Sequence, residues 1–403
     1  MPIDVRNTHG LETNIIADPG FFLWFGNDSW CRDLCLNWRS RQRGREFYSV
    51  SFIIASILAL FTAFSYAELS ARFPQSAGSA LYVRQAFKKA WLSGLVGWLV
   101  VLTGVTSAAT IALGFASYFV LLLPAPPLLS VTVLVLLLGA LTLWGIRESA
   151  TVIMVMTLIE IGGLLLIIFY GRHAFAALGN SHWTWPSSMQ GILIGAFIAF
   201  YAYIGFEDMV NTSEETINPE KNLPRGIFIA LGGAMLLYLL VAIVVIITLP
   251  TELLTRSNMP LIEIITYQGH SPLLFTLIAL IAIMNGILVQ IIMASRLIYG
   301  MAKQDNAPAV FAHVYEKTHT PVYATVLVVA MILLFAYVLP IATLAKLTST
   351  IILCVFMLVH ASLIRIKLGN RQKPSSFSVP IGIPILAILL TLGFLGMQWW
   401  IAR

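Results

Sequence analysis

The sequence predicts an all-α polytopic membrane protein, and three observations lead there. Of its 403 residues 59% are hydrophobic and only 10% charged, with a mean hydropathy of +0.87, so most of the length has no polar face to present to water. The apolar residues fall in ten runs, each close to the ~20 residues that cross a hydrocarbon layer. Lysine and arginine gather on alternate connections between the runs. Helices are expected throughout, because lipid offers the backbone no partner outside its own segment.

The first expected span, 49–69, stops before Arg72 and Pro74. The next, 92–123, runs into Pro124, Pro126 and Pro127, which cannot continue a helix. Spans 128–146 and 150–170 flank Arg147 and Glu148. Span 189–210 carries Gly195 and Gly205, and span 226–249 follows Pro224 and Arg225. Prolines or charges bound the remaining four, 273–300, 321–340, 343–364 and 381–401. Asn218-Pro219 reads as a turn, and Asn222 ahead of Pro224 as the N-cap of the following helix.

With the loop after the first span placed inside, the inner side holds fourteen basic residues, among them Arg72, Arg84, Lys88, Lys89, Arg225, Lys303, Arg365 and Lys367. The outer side holds four, Arg172, Arg256, Lys346 and Arg403. The net charge of +6 therefore reports membrane orientation, with lipid as partner, and not nucleic-acid binding. Cys31, Cys35 and Cys354 form no even disulfide framework and no zinc spacing. No Walker loop, His-Glu-x-x-His or Gly-x-Ser-x-Gly occurs, so neither an enzyme nor a cofactor is expected.

Residues 1–48 differ in kind. Their longest apolar run is Phe21 to Phe25, short of the roughly 7 to 15 residues at the centre of a secretory signal. Six arginines, no lysine and three of the ten tryptophans crowd there. With ten spans this head falls outside, against the charge bias of the other loops.

The stretch from Gly205 to Gly226, GFEDMVNTSEETINPEKNLPRG, carries the function. It resembles the sixth-helix signature of the amino acid/polyamine/organocation (APC) permeases, where Gly-Phe-Glu precedes a Glu pair, Asn-Pro and Lys-Asn-x-Pro-Arg. The resemblance covers about residues 49–402 and extends to the Ser-Arg-x-x-Tyr-Gly-Met-Ala run from Ser295. It implies a LeuT-like bundle of two inverted five-helix repeats. The first repeat then keeps four helices over 49–170, the second has five over 189–364, and 381–401 is an additional helix. The family's first helix, with its glycine-rich break, has no counterpart in 1–48. Glycine codons read out of phase give Trp and Arg, so a frameshift before Val50 is expected to have replaced it, the alternative being a divergent but genuine soluble tail. No twelfth family helix follows Trp400.

In inverted-repeat transporters the substrate sits at the midplane, where broken helices bring bare backbone and half-helix dipoles to it. The resemblance places the break near Phe200, Tyr201, Ala202, Tyr203, Ile204 and Gly205, with Tyr201 at an aromatic gate position. Aromatics and glycines in membrane helices otherwise serve packing.

Glu160 is a lone carboxylate mid-span, where the low-dielectric surroundings favour the neutral acid that a proton-coupled carrier loads and releases. The family commonly has lysine or a neutral residue there, so the coupling ion stays open at this point. Glu207 lies just below the break and is expected to link occupancy to the inner gate, or else to pair with a neighbouring helix. Asp208, Glu214 and Glu215 are expected in a wet inner vestibule with Lys221 and Arg225. Asn285 and Gln290 are polar residues of the eighth family helix, and Asn285 joins Glu160 and Glu207 as a coupling or gating candidate. No Ser or Thr lies between Thr276 and Ser295, which favours proton coupling or exchange over sodium. His360 is expected to pack.

The resulting expectation is a secondary active permease of amino acids or related amines, working by alternating access in the plasma membrane, a bacterial inner membrane. The alternative is a truncated or decayed, non-transporting homologue. The sequence sets no oligomeric state.

Overall fold

The structure, a computed structural model, describes residues 48–75, 78–177, 189–213, 216–250, 260–315, 318, 320–369 and 375–401. Residues 1–47, the bulk of the atypical head, lie outside the described residues, as do Glu214 and Glu215.

Among the described residues seven helices are long and apolar enough to cross a membrane. They are α1 (Tyr48–Arg72), α3 (Ala90–Phe119), α4 (Pro127–Trp144), α5 (Ile146–Tyr170), α8 (Pro219–Thr248), α10 (Leu273–Lys303) and α12 (Ile341–Leu368). Two shorter apolar helices, α11 (Val322–Val338) and α13 (Gly382–Ile401), take the places of spans 321–340 and 381–401. Short α2 (Gly78–Phe87), α6 (His173–Ala177) and α9 (Pro260–Tyr267) lie in connections. The tenth expected span is interrupted: α7 (Met189–Tyr201) ends, and a 3-10 helix, Phe206–Thr212, follows.

Helix starts follow local chemistry. Proline opens α4 and α8 at the first helical position, where its missing N–H costs nothing. The expected N-cap Asn222 is corrected by the structure. Asn218, at φ 48°, precedes the first residue Pro219, and Asn222 sits inside the first turn, donating its Nδ2 to the Ile217 carbonyl at 2.5 Å. Pro224 lies within α8, so the carbonyl four residues earlier, that of Glu220, loses its helical donor.

Two buried cores organise the bundle. The first joins α1, α7, the 3-10 helix, α8 and α12 around Tyr66, Phe200, Tyr203, Phe206 and Phe356. The second joins α3, α4, α10 and α11 through Val105, Ala108, Leu134, Ile287, Ile291, Val328 and Ile332. The interrupted helix belongs wholly to the first.

Candidate functional site

The interruption has a local cause. Gly205 sits at φ +128°, where a side chain is strained, and it stands between the two helical pieces. The last turn of α7 tightens: the N–H groups of Ala202, Tyr203 and Ile204 donate to the carbonyls of Ala199, Phe200 and Tyr201 at 3.1, 2.9 and 3.2 Å. The ladder resumes only at Asp208, whose N–H reaches the Gly205 carbonyl at 2.9 Å. Among the described residues no backbone N–H reaches the carbonyls of Ala202 or Tyr203. Glu207 turns back, and its Oε2 accepts the Gly205 N–H at 2.8 Å. A carboxylate thus occupies one donor that the broken ladder frees, and Glu207 is 4% exposed there.

Rings enclose this backbone. Phe200 meets Phe356 of α12 edge-on at 6.2 Å and Phe394 of α13 at 6.1 Å. Tyr203 packs on Phe52 of α1 at 6.3 Å and on Tyr238 of α8 at 5.6 Å. Phe206 lies 6.0 Å from Tyr66 and 5.9 Å from Phe356. Each such pair contributes about 0.5–1.5 kcal/mol beyond its buried area. Tyr201, Ala202 and Ile204 are buried with them.

The expected gate residue Tyr201 has its hydroxyl 3.1 Å from Ser107 Oγ on α3. Neighbouring Thr103, Thr106 and Thr110 donate to carbonyls of their own helix at 3.0, 2.8 and 2.7 Å. That is the usual use of a hydroxyl in a membrane helix. Ser107, absent from the expected set, instead faces the interrupted segment.

A second polar spot is built on α5 and α10. Asn285 Nδ2 donates to Thr157 Oγ1 at 2.8 Å and lies 3.5 Å from Glu160 Oε2. Asn285 is fully buried and Glu160 3% exposed. Among the described residues, Asn285 Oδ1 has no hydrogen-bond donor. Glu160 and Asn285 are therefore brought together, with Thr157 as a third member that the sequence did not flag.

Asp208 is corrected from the wet vestibule to a buried position, bonded to the Gln290 side chain and 3.5 Å from Asn211 Nδ2. Gln290 fits because Gly104 on α3 leaves space: a Cβ there would approach Gln290 Oε1 to 2.9 Å. Gln290 and Asn285 are five residues apart on α10, roughly 7–8 Å along its axis. One straight helix thus contacts both the lower half of the broken helix and the Glu160 spot. His360 is packed as expected, its Nδ1 2.9 Å from Ser65 Oγ and its Nε2 3.4 Å from Thr62 Oγ1.

Among the described residues no three His, Cys, Asp or Glu side chains gather as metal ligands. The interrupted segment thus gathers unbonded carbonyls, a tyrosine–serine hydroxyl pair and rings, and a buried carboxyl group lies between α5 and α10.

The amino acid permease family matches residues 46–402. A methylthioribose transporter of Bacillus subtilis is 28% identical, over 88% of this chain and 83% of its own length. A branched-chain amino acid permease of the same organism is 27% identical, over 88% of this chain and 81% of its own. The vacuolar cationic amino acid transporter 4 of Arabidopsis thaliana is 28% identical over 88% of this chain, which spans only 61% of that relative.

Proposed function

Because this chain belongs to the amino acid permease family, a family of carriers and not of enzymes, we propose that it is a secondary active transporter of amino acids or related small solutes. It works by alternating access in the plasma membrane. The observation that carries the reading is the helix interrupted at Ala202–Gly205, with the carbonyls of Ala202 and Tyr203 left to a ligand's ammonium group. The relatives named for branched-chain and cationic amino acids and for methylthioribose set the range of solutes to try.

Proton coupling is the favoured drive. Among the described residues no donor reaches Asn285 Oδ1, which lies on the amide beside the Glu160 carboxyl. A proton on that carboxyl supplies an O–H for it, and its loss leaves a buried charge and an unmet acceptor together. The load on Glu160 is then tied to how α5 and α10 pack.

Uptake of labelled leucine, arginine and methylthioribose into proteoliposomes tests the carrier reading. The expected result is accumulation driven by an inward proton gradient, with Glu160→Gln abolishing accumulation but sparing substrate exchange. Accumulation that the proton gradient still drives in Glu160→Gln rejects the coupling role. A second reading is a decayed homologue that does not transport, since residues 1–45 lie outside the family match. Absence of flux, exchange and ligand-induced thermal shift for all three solutes selects it.

A further inference from the structure

The cytoplasmic ends of α1 and α12 and the segment before α13 meet on one carboxylate. Glu68 of α1 is fully buried. Its Oε1 accepts Arg72 Nη2 at 2.6 Å and Lys367 Nζ of α12 at 2.7 Å. Its Oε2 accepts the Val379 N–H at 2.8 Å, and Ser378 Oγ adds a bond at 3.3 Å. Lys367 Nζ also donates to the Val379 carbonyl at 2.6 Å. Removing one partner from a buried ion pair is costly, because it leaves an uncompensated charge.

The same short segment, Ser375–Val379, is stitched elsewhere too. Ser376 donates to the Glu220 carbonyl, the acceptor that Pro224 releases from the α8 ladder. Phe377 packs at a tilt on Phe228 of α8 at 5.5 Å, and Phe228 likewise on Phe64 of α1 at 4.9 Å. The strap therefore fastens α1, α8 and α12 on the side that the arginine and lysine distribution places inside.

The fastening point is mechanically close to the interrupted helix. Tyr66, two residues before Glu68, packs on Phe206 at 6.0 Å and on Phe356 of α12 at 5.6 Å, and bonds Ser79 of α2 at 2.6 Å. Two residues of helix are only about 3 Å of axis. A shift of the 3-10 helix that displaces Phe206 is delivered through Tyr66 to the end of α1 that carries Glu68.

We propose that Glu68, Lys367 and the strap Ser375–Val379 form an inner latch, with Glu68 as its positioning residue. The latch is closed here and lifts when the site opens to the cytoplasm. This rests on the carrier reading above.

The test uses a full-length background with Cys31, Cys35 and Cys354 changed to Ser and the buried Val379 to Cys. Inside-out membrane vesicles are labelled with an impermeant maleimide, with and without a mixture of the common L-amino acids. Slow labelling that the amino acids accelerate is expected. Glu68→Gln should raise the rate about tenfold or more without any amino acid, the factor for losing one charge-assisted hydrogen bond. Lys367→Met, which keeps the Glu68–Arg72 pair, should give an intermediate rate and serves if Glu68→Gln fails to fold. Equally slow labelling in the substituted proteins, or no response to amino acids in a chain that takes them up, overturns the latch and leaves the carrier reading standing. A chain with no uptake at all overturns both.

Discussion

Around the interruption, α1, α7, α8 and α12 pack on rings, Tyr66, Phe200, Tyr203, Phe206 and Phe356 among them. Across α3, α4, α10 and α11 the core is branched aliphatics and alanines, such as Val105, Ala108, Ala112, Leu138, Ile287 and Val328. Small and aliphatic residues let continuous helices approach, and the hydroxyls of Thr103, Thr106 and Thr110 return to their own helix. Rings have few torsions to lose and large faces, so they can hold backbone that has left the helical ladder. Among the described residues the interrupted membrane helix thus falls in the aromatic body, and the aliphatic body supplies a frame of continuous helices. Gln290 and Asn285 on α10, with Ser107 and Thr106 on α3, are among the places where the frame touches polar groups of its surroundings.

The contrast can be broken by substitutions matched across the two bodies. Phe206→Ala removes a fully buried ring from the aromatic body and should cost about 3–5 kcal/mol, whereas Ile287→Val, equally buried in the frame, should cost about 0.5–1.5. Thermal midpoints in detergent read the difference, and equal shifts would remove the distinction. Gly205→Val should follow, at about 1–3 kcal/mol from its φ of +128°, with uptake lost. Tyr201→Phe takes away the bond to Ser107 and should cost about 0.5–1.5 kcal/mol, seen as a raised KM. Adding Ser107→Ala to it should change little further, and additive losses would show that the two hydroxyls act separately. The smallest effect has the opposite sign. Gly300→Ala in the frame, with nothing within 4 Å of its new methyl, should stabilise by about 0.4–1 kcal/mol.

Much of this was readable in the sequence, for reasons that differ by feature. Apolar runs and the placement of lysine and arginine give the spans, since lipid enforces both. The interruption was legible through Gly205 and the residues after it, because only glycine takes the backbone found there without strain. The approach of Asn285 to Glu160 was half legible: each is conspicuous as a polar residue in an apolar span, but their facing depends on how α5 and α10 are rotated. Thr157 and Ser107 look like ordinary hydroxyls of membrane helices until the fold shows which partners they meet. Asp208 was placed in water because charge implies solvent, and Gln290 supplies the buried partner that defeats that rule. Glu68 and Val379 stand 311 positions apart, and no local pattern announces that pairing.

The central claim is that the main-chain carbonyls of Ala202 and Tyr203, left without helical donors, and not a side-chain pocket alone, receive the solute. Hydrogen–deuterium exchange of the protein in nanodiscs, read by mass spectrometry for peptides spanning residues 198–210 and 280–295, tests it most directly. The account predicts measurable exchange in the first peptide that slows on adding the transported amino acid, and near-complete, ligand-independent protection in the second, which lies within unbroken α10. Equal protection of both peptides, or a first peptide indifferent to the amino acid, would contradict it.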